Sequence, residues 1–595
     1  MNNQQELPDW DLSDLYKGID DNNVQTDIAK VKSLSASFAT DYKGKVLSLS
    51  ADDFLASVRR YEEINILCGR LMEYAFLQMC TRMTDSAAMA FYQNTNEQVV
   101  EAAKPTIFYT LEINQLSDEV LNKYLEHPEI SHYAPWLKMV RLFKKYELSE
   151  EMEEFIADKS MTSSAAWDRL YEETCSKLRY NVDGKEYNEA EMSLLLQDKN
   201  PQTRAKAGKE LNRVAKANTD LFALIYNTLI KDKSIEDNKR GFARPDSARN
   251  LGSHVDDAVV DALASAVKRR YADLSHRFYK LKAGWLGVDK IEYWDRNAPL
   301  PFAEDKPITW EESVKIVLDA YGSFSGKFRA IGAEFFSHPW IDVPPRAGKR
   351  SGAFCAGTGG MEHPYLMLNF NGKERDVLTL AHELGHGCHH ILRYPQGDLN
   401  DSTPMILAEV ASVFAEMVTF QNLVKNLEDS PAKLSLIAGK VSDMINTVSR
   451  QIAFHFYESR MHEERKLGEI SADRISEIWV EEMRNYLGPW VNVDENSSRI
   501  WALLSHVFGS PFYVYAYAFA DCLVNSLYQV YRDGSIPDFA DKYLNMLSET
   551  GVKKYDELLE PFGLDAHSPE FWDKGMDLIA EYIDELERLS SKLGL

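Results

Sequence analysis

A chain of 595 residues is longer than one ordinary hydrophobic core supports, so two or more lobes are expected. With 45% hydrophobic and 27% charged residues, the composition is that of a folded globular protein and excludes a disordered one. The formal net charge of −25 repels nucleic acid and anionic membranes, which argues against either as a partner.

The opening Met1-Asn2-Asn3-Gln4-Gln5-Glu6 has no basic stretch leading into an apolar one, so it does not read as a secretory leader. No run approaches the roughly 18 consecutive apolar residues of a membrane span. Cys68, Cys80, Cys175, Cys355, Cys388 and Cys522 are scattered without a CxxC pair, the pattern of reduced thiols in a cytoplasmic protein.

Helical spacing dominates from Ala51 to Cys80 and again from Ser86 to Leu111. The turn Val182-Asp183-Gly184 marks a soft boundary between an N-terminal helical region, 1–184, and a second region, 185–595. Asn297-Ala298-Pro299-Leu300-Pro301 is a further break. Thr309 and Glu312 have capping-box spacing and open another helix. Glycine and proline then become dense between Trp340 and Gly372, around a strand-like run from Pro364 to Phe370. If its edge is open, a peptide could pair along it. Ser430-Pro431 and the stretch Met576 to Leu593 signal further helices, with no fixed-period repeat anywhere. The fold class is therefore mainly α, with one small β-sheet beside the helix described next.

That helix carries His382-Glu383-Leu384-Gly385-His386. Residues four apart share a helical face, so both imidazoles can reach one ion, and the adjacent glutamate can reach a water beside it. This is the HExxH arrangement of zinc hydrolysis, with Glu383 as general base and His382 and His386 as ligands. A catalytic zinc needs a third protein ligand. The metzincin pattern requires glycine and histidine where this chain has His389 and Leu392. Thermolysin-type and aminopeptidase spacings land on Ile406 and Met405, which cannot bind zinc. The first suitable acid is Glu409, on the segment Leu407 to Glu416 that reads as a helix after Pro404. Glu416 shares its face, either orienting a histidine or serving as a plain structural carboxylate. Asn371 and Glu374 are the expected caps of the motif helix. Cys388 and His389 read as structural residues on it.

The run His382 to His389, with Glu409-Val410-Ala411-Ser412, Pro8 to Tyr16 and Gly348 to Cys355, resembles the M3 family of metallopeptidases, in its oligoendopeptidase F branch. The resemblance implies a two-lobed helical ellipsoid with a deep substrate channel, one zinc ion per chain, and cleavage of internal bonds in short unfolded oligopeptides. It also implies that His506 and Tyr513 stabilise the developing oxyanion, and that Tyr515 and Tyr517 are substrate-side candidates. Gly359, in the glycine-rich stretch, is another. Tyr513 and Tyr517 would share a helical face, with Tyr515 pointing elsewhere; tyrosines on an apolar helix also serve packing alone. A zinc carboxypeptidase or dipeptidase of related fold is the alternative. A helical peptide-binding protein with a structural metal is a more distant one, because a structural site has little use for Glu383.

Overall fold

The computed structural model describes residues 7–160, 162–302, 307–358 and 360–595. Helices dominate it, and three small sheets interrupt them. Their ends follow local chemistry. Thr309 Oγ1 accepts from the Glu312 N–H at 3.2 Å while the Glu312 carboxylate accepts from the Thr309 N–H at 2.8 Å, opening the helix Trp310–Phe324. Ser430 caps Pro431–Thr447 in the expected way. The stretch expected as one helix from Ser86 to Leu111 is two, Ser86–Ala103 and Phe108–Gln115. Pro105 lies in the tight turn between them, where its ring and missing N–H end the first helix. The turn at Val182 to Gly184 is the tip of a two-stranded hairpin, Tyr180–Val182 with Lys185–Tyr187, and both Asp183 and Gly184 have positive φ.

Two compact units emerge, each assembled from three stretches of chain. The first comprises Met1–Lys145, Asp305–Lys425 and Ile536–Phe562; the second comprises Tyr146–Glu304, Asn426–Ser535 and Gly563–Leu595. Chain order and compactness therefore divide the molecule differently, and the 1–184 boundary concerns only the former.

In the first unit an aromatic core that includes Phe38, Phe54, Tyr74, Tyr109 and Trp136 joins the N-terminal helices. The glycine-dense region forms a three-stranded sheet in which Tyr365–Met367 is central. It pairs parallel with Ile341–Asp342 and antiparallel with Phe354–Ala356. The strand expected around Pro364 to Phe370 thus exists, but both its sides are paired, and Ile341–Asp342 and Phe354–Ala356 are the outer strands of the sheet. Ion pairs hold the preceding loop. Lys349, fully buried, contacts the equally buried Asp342 carboxylate, whose other oxygen accepts from Arg346 Nη2 at 2.6 Å.

The motif helix, Glu374–Arg393, packs on Val410–Lys425, Trp310–Phe324, Gly326–Ser337 and Phe539–Ser548. The stretch Met405–Lys425 is long and apolar enough to cross a membrane, yet most of it is buried inside this unit. Its apolarity is that of a core segment. In the second unit Tyr515–Asp533 packs against the C-terminal helix Pro569–Leu593. A side chain on Gly575 there would place a Cβ 2.4 Å from Cys522 O.

Candidate metal centre

The motif helix starts where the Asp376 carboxylate accepts from the backbone N–H groups of Asn371 and Lys373, at 2.7 and 3.0 Å. Asp376 makes these capping contacts, where Asn371 and Glu374 were the expected caps; the Asn371 amide donates to Asn369 O at 2.9 Å. Tyr321 Oη donates to Ala381 O at 2.6 Å, steadying the turn just before His382. Helical register then puts the His382 and His386 rings 5.0 Å apart.

Glu409 sits at a joint rather than inside a helix. Met405–Ala408 ends at it and Val410–Lys425 begins after it. Its Oε2 lies 3.3 Å from His382 Nε2 and 3.2 Å from His386 Nε2. Ligand atoms of the three residues fall within 4.8 Å of one another. Tetrahedral zinc with bonds of about 2.0–2.1 Å separates neighbouring ligand atoms by about 3.3 Å, so this donor set has the spacing and chemistry for it.

Two residues steady these three. Ser412 Oγ donates to Glu409 Oε2 at 2.7 Å. The Glu416 carboxylate lies 3.3 Å from His382 Nδ1, where it holds that nitrogen protonated and leaves Nε2 as the donor atom. The sequence left Glu416 open; its geometry is that of an orienting partner. Ser412 had no assigned role, although its place three residues after Glu409 was the available signal.

The local electrostatics ask for positive charge. Burial disfavours a charged His382, but Glu409 and Glu416 outweigh it and push the imidazole up to about 10. Burial acts against ionisation of Glu409 too, and the two histidines overcome it, holding its carboxyl well below the usual range. Glu383 behaves in the opposite way. It is 7% exposed, and burial raises its pKa against the pull of His382 and His386. A carboxylate held nearer neutrality accepts a proton more readily.

A cavity of about 440 Å³ opens over these groups, lined by the three candidate ligands with Glu383, Cys355 and Arg393. Cys388 and His389, further along the motif helix, make contacts apart from the three candidate ligands. Cys388 is fully buried with Sγ 4.0 Å from Phe328 O. His389, kept neutral by burial, is 2.7 Å from Thr550 Oγ1 through Nε2.

The chain matches the model for peptidase family M3 over residues 194–578, and that for oligopeptidase F over residues 112–180. It belongs to peptidase family M3. Oligopeptidase PepF of Bacillus subtilis is 24% identical, over 98% of this chain and 87% of the relative. An oligoendopeptidase F homolog of Lactococcus lactis is 25% identical, over 98% and 97%. The fold is that of oligoendopeptidase-F from Enterococcus faecium, with a TM-score of 0.71 at 19% identity, covering 96% of this chain and 99% of the other. Membership in M3 implies a metal, and among the described residues of this M3 peptidase His382, His386 and Glu409 form a group whose donors fit one.

His506, Tyr513, Tyr515 and Tyr517 of the M3 peptidase lie in its second unit. Tyr513 and Tyr517, expected on one helical face, are not on one helix: Tyr513 lies in the stretch after His506–Gly509, and Tyr515–Asp533 begins beyond it. The rings of His506 and Tyr513 are 5.8 Å apart, and those of Tyr513 and Tyr517 are 5.1 Å apart. All three are partly exposed. Tyr515 turns inward, fully buried, with its ring 6.0 Å from that of His455. It offers no surface to a substrate, because the helix that begins at this residue points it into the core. Gly359 lies outside the described residues.

Proposed function

We propose that this M3 peptidase is a zinc-dependent endopeptidase hydrolysing internal bonds of short, unfolded oligopeptides. The observation that carries the reading is the convergence of His382 Nε2, His386 Nε2 and Glu409 Oε2 beside the buried carboxylate of Glu383. A zinc ion held by these three ligands supplies Lewis acidity toward the scissile carbonyl and makes a neighbouring water more acidic.

Glu383 takes a proton from the attacking water as the C–O bond forms. It then delivers that proton to the amide nitrogen as the C–N bond breaks, leaving a free carboxylate and amine. Glu416 keeps His382 in the tautomer that presents Nε2, and Ser412 keeps the Glu409 carboxylate turned inward. His506 and Tyr513 donate hydrogen bonds to the developing oxyanion, where a donor contributes most as the charge forms. Tyr517, packed against Tyr513, is the neighbouring substrate-side residue. Phe354–Ala356, an outer strand whose Phe354 and Cys355 line the cavity, supports pairing of the peptide backbone there, which would make recognition largely independent of side chains. Six unpaired cysteines support a cytoplasmic setting.

A peptide blocked at both ends and internally quenched separates this reading from a carboxypeptidase or dipeptidase. Cleavage at an internal bond, located by mass spectrometry, is the expected result. Activity confined to peptides with a free terminus would overturn the endopeptidase assignment.

A further inference from the structure

A strained turn separates His506 from the helix that carries Tyr517. Phe512 has φ +56°, the left-handed region that a bulky side chain rarely adopts. Such a conformation persists where the surroundings over-determine it. The Phe512 ring is fully buried, 4.7 Å from the ring of His462 and 6.0 Å from that of His455.

Two side chains hold the backbone at this point. Glu458, 1% exposed, accepts from the Phe512 N–H at 2.9 Å. Arg249 Nε donates to Pro511 O at 3.0 Å. They reach in from separate helices, Ser449–Arg465 and Ser247–Gly252, and grip the two ends of one peptide group. The Arg249 guanidinium continues to within 6.0 Å of the Tyr513 ring centre. Burial pushes the Glu458 carboxyl up to about 8, so an amide is a close mimic of its neutral form.

We propose that Arg249 and Glu458 are positioning residues for the reaction: by fixing the Pro511–Phe512 peptide in its left-handed turn, they aim the Tyr513 phenol beside His506. The proposal rests on the reading of Tyr513 as an oxyanion donor. A donor displaced by about 1 Å costs on the order of 100-fold in rate, so a side chain that merely sets a turn can govern turnover.

The test is a set of double-mutant cycles read in kcat and KM on the blocked peptide, with metal content and thermal melting as controls. Glu458→Leu and Arg249→Met should each lower kcat by about 10- to 100-fold, with KM within about 3-fold and metal content unchanged. Glu458→Gln, which keeps an acceptor for the Phe512 N–H, should restore kcat to within about 3-fold of the parent. In a Tyr513→Phe background, Glu458→Leu and Arg249→Met should cost no more than about 2-fold further. Parental kcat in both single variants, or the same loss with and without the Tyr513 hydroxyl, would overturn the positioning role. Parental kcat in Tyr513→Phe itself would instead remove the reading of Tyr513, and the proposal with it. If Glu458→Leu does not fold, the cycle through the partly exposed Arg249 gives the same decision.

Discussion

Glu383 and Glu409 line one cavity, yet their surroundings drive their acidities apart: burial raises Glu383, while the two histidines keep Glu409 ionised. That divergence fits the roles proposed for them, Glu383 as proton acceptor and Glu409 as ligand. Elsewhere, burial acts alone on Glu73, whose carboxyl is pushed up to about 7 and whose Oε1 has no hydrogen-bond partner. The unfolded chain releases this proton near 4.5, the folded one near 7. Its contribution is therefore fully present below pH 4.5 and is lost as pH rises through 7. A shift of this size corresponds to about 3 kcal/mol. Glu73→Gln should flatten the pH dependence of unfolding free energy between 4.5 and 7 and be more stable than the parent at pH 8; an unchanged slope would contradict this. His382 and His386 were legible in the sequence because helical spacing brings them to one face, and Glu383 because it stands beside the first of them. Glu409 was legible by exclusion of other spacings. The Glu416 contact to His382 Nδ1 and the inward turn of Tyr515 were not, since each depends on where a helix starts and what packs against it.

Element packing accounts for the glycine inside the motif. A Cβ on Gly385 would lie 2.8 Å from Ser412 Cα and 2.9 Å from Ala411 O. Alanine gains about 1 kcal/mol over glycine in a helix, but overpacking against backbone costs about 1–3 kcal/mol, so the clash wins. Gly385→Ala should lower stability in denaturant and loosen metal retention, because the helix pushed away begins beside Glu409. A variant as stable as the parent would show that the helices can separate without consequence. The helices opened by Thr309 with Glu312 and by Ser430 with Pro431 were readable because capping signals are local. The order of the three-stranded sheet was not, because the short apolar run from Tyr365 to Leu368 does not say which strands pair with its two edges. Pro105 is the opposite case: its effect is local and visible, and the helix should have been divided there.

At the scale of the whole molecule, length foretold more than one core, but composition does not reveal that each unit gathers three separated stretches of chain. Non-local packing decides that. One consequence is that the candidate ligands, all between residues 382 and 409, sit in a unit that also needs its N-terminal helices and the segment Ile536–Phe562. The acidic surface, at a formal charge of −25, favours solubility and leaves selectivity to the site itself. Glu383 as the proton carrier and His382, His386 and Glu409 as the metal ligands can be tested together by measuring zinc content and turnover of the blocked peptide on the parent, Glu383→Gln and Glu409→Gln. About one zinc per chain is expected in the parent and in Glu383→Gln, with turnover in that variant lower by about 100- to 10,000-fold, and weakened zinc retention in Glu409→Gln. Near-parental turnover by zinc-loaded Glu383→Gln, or full zinc retention in Glu409→Gln, would contradict these roles.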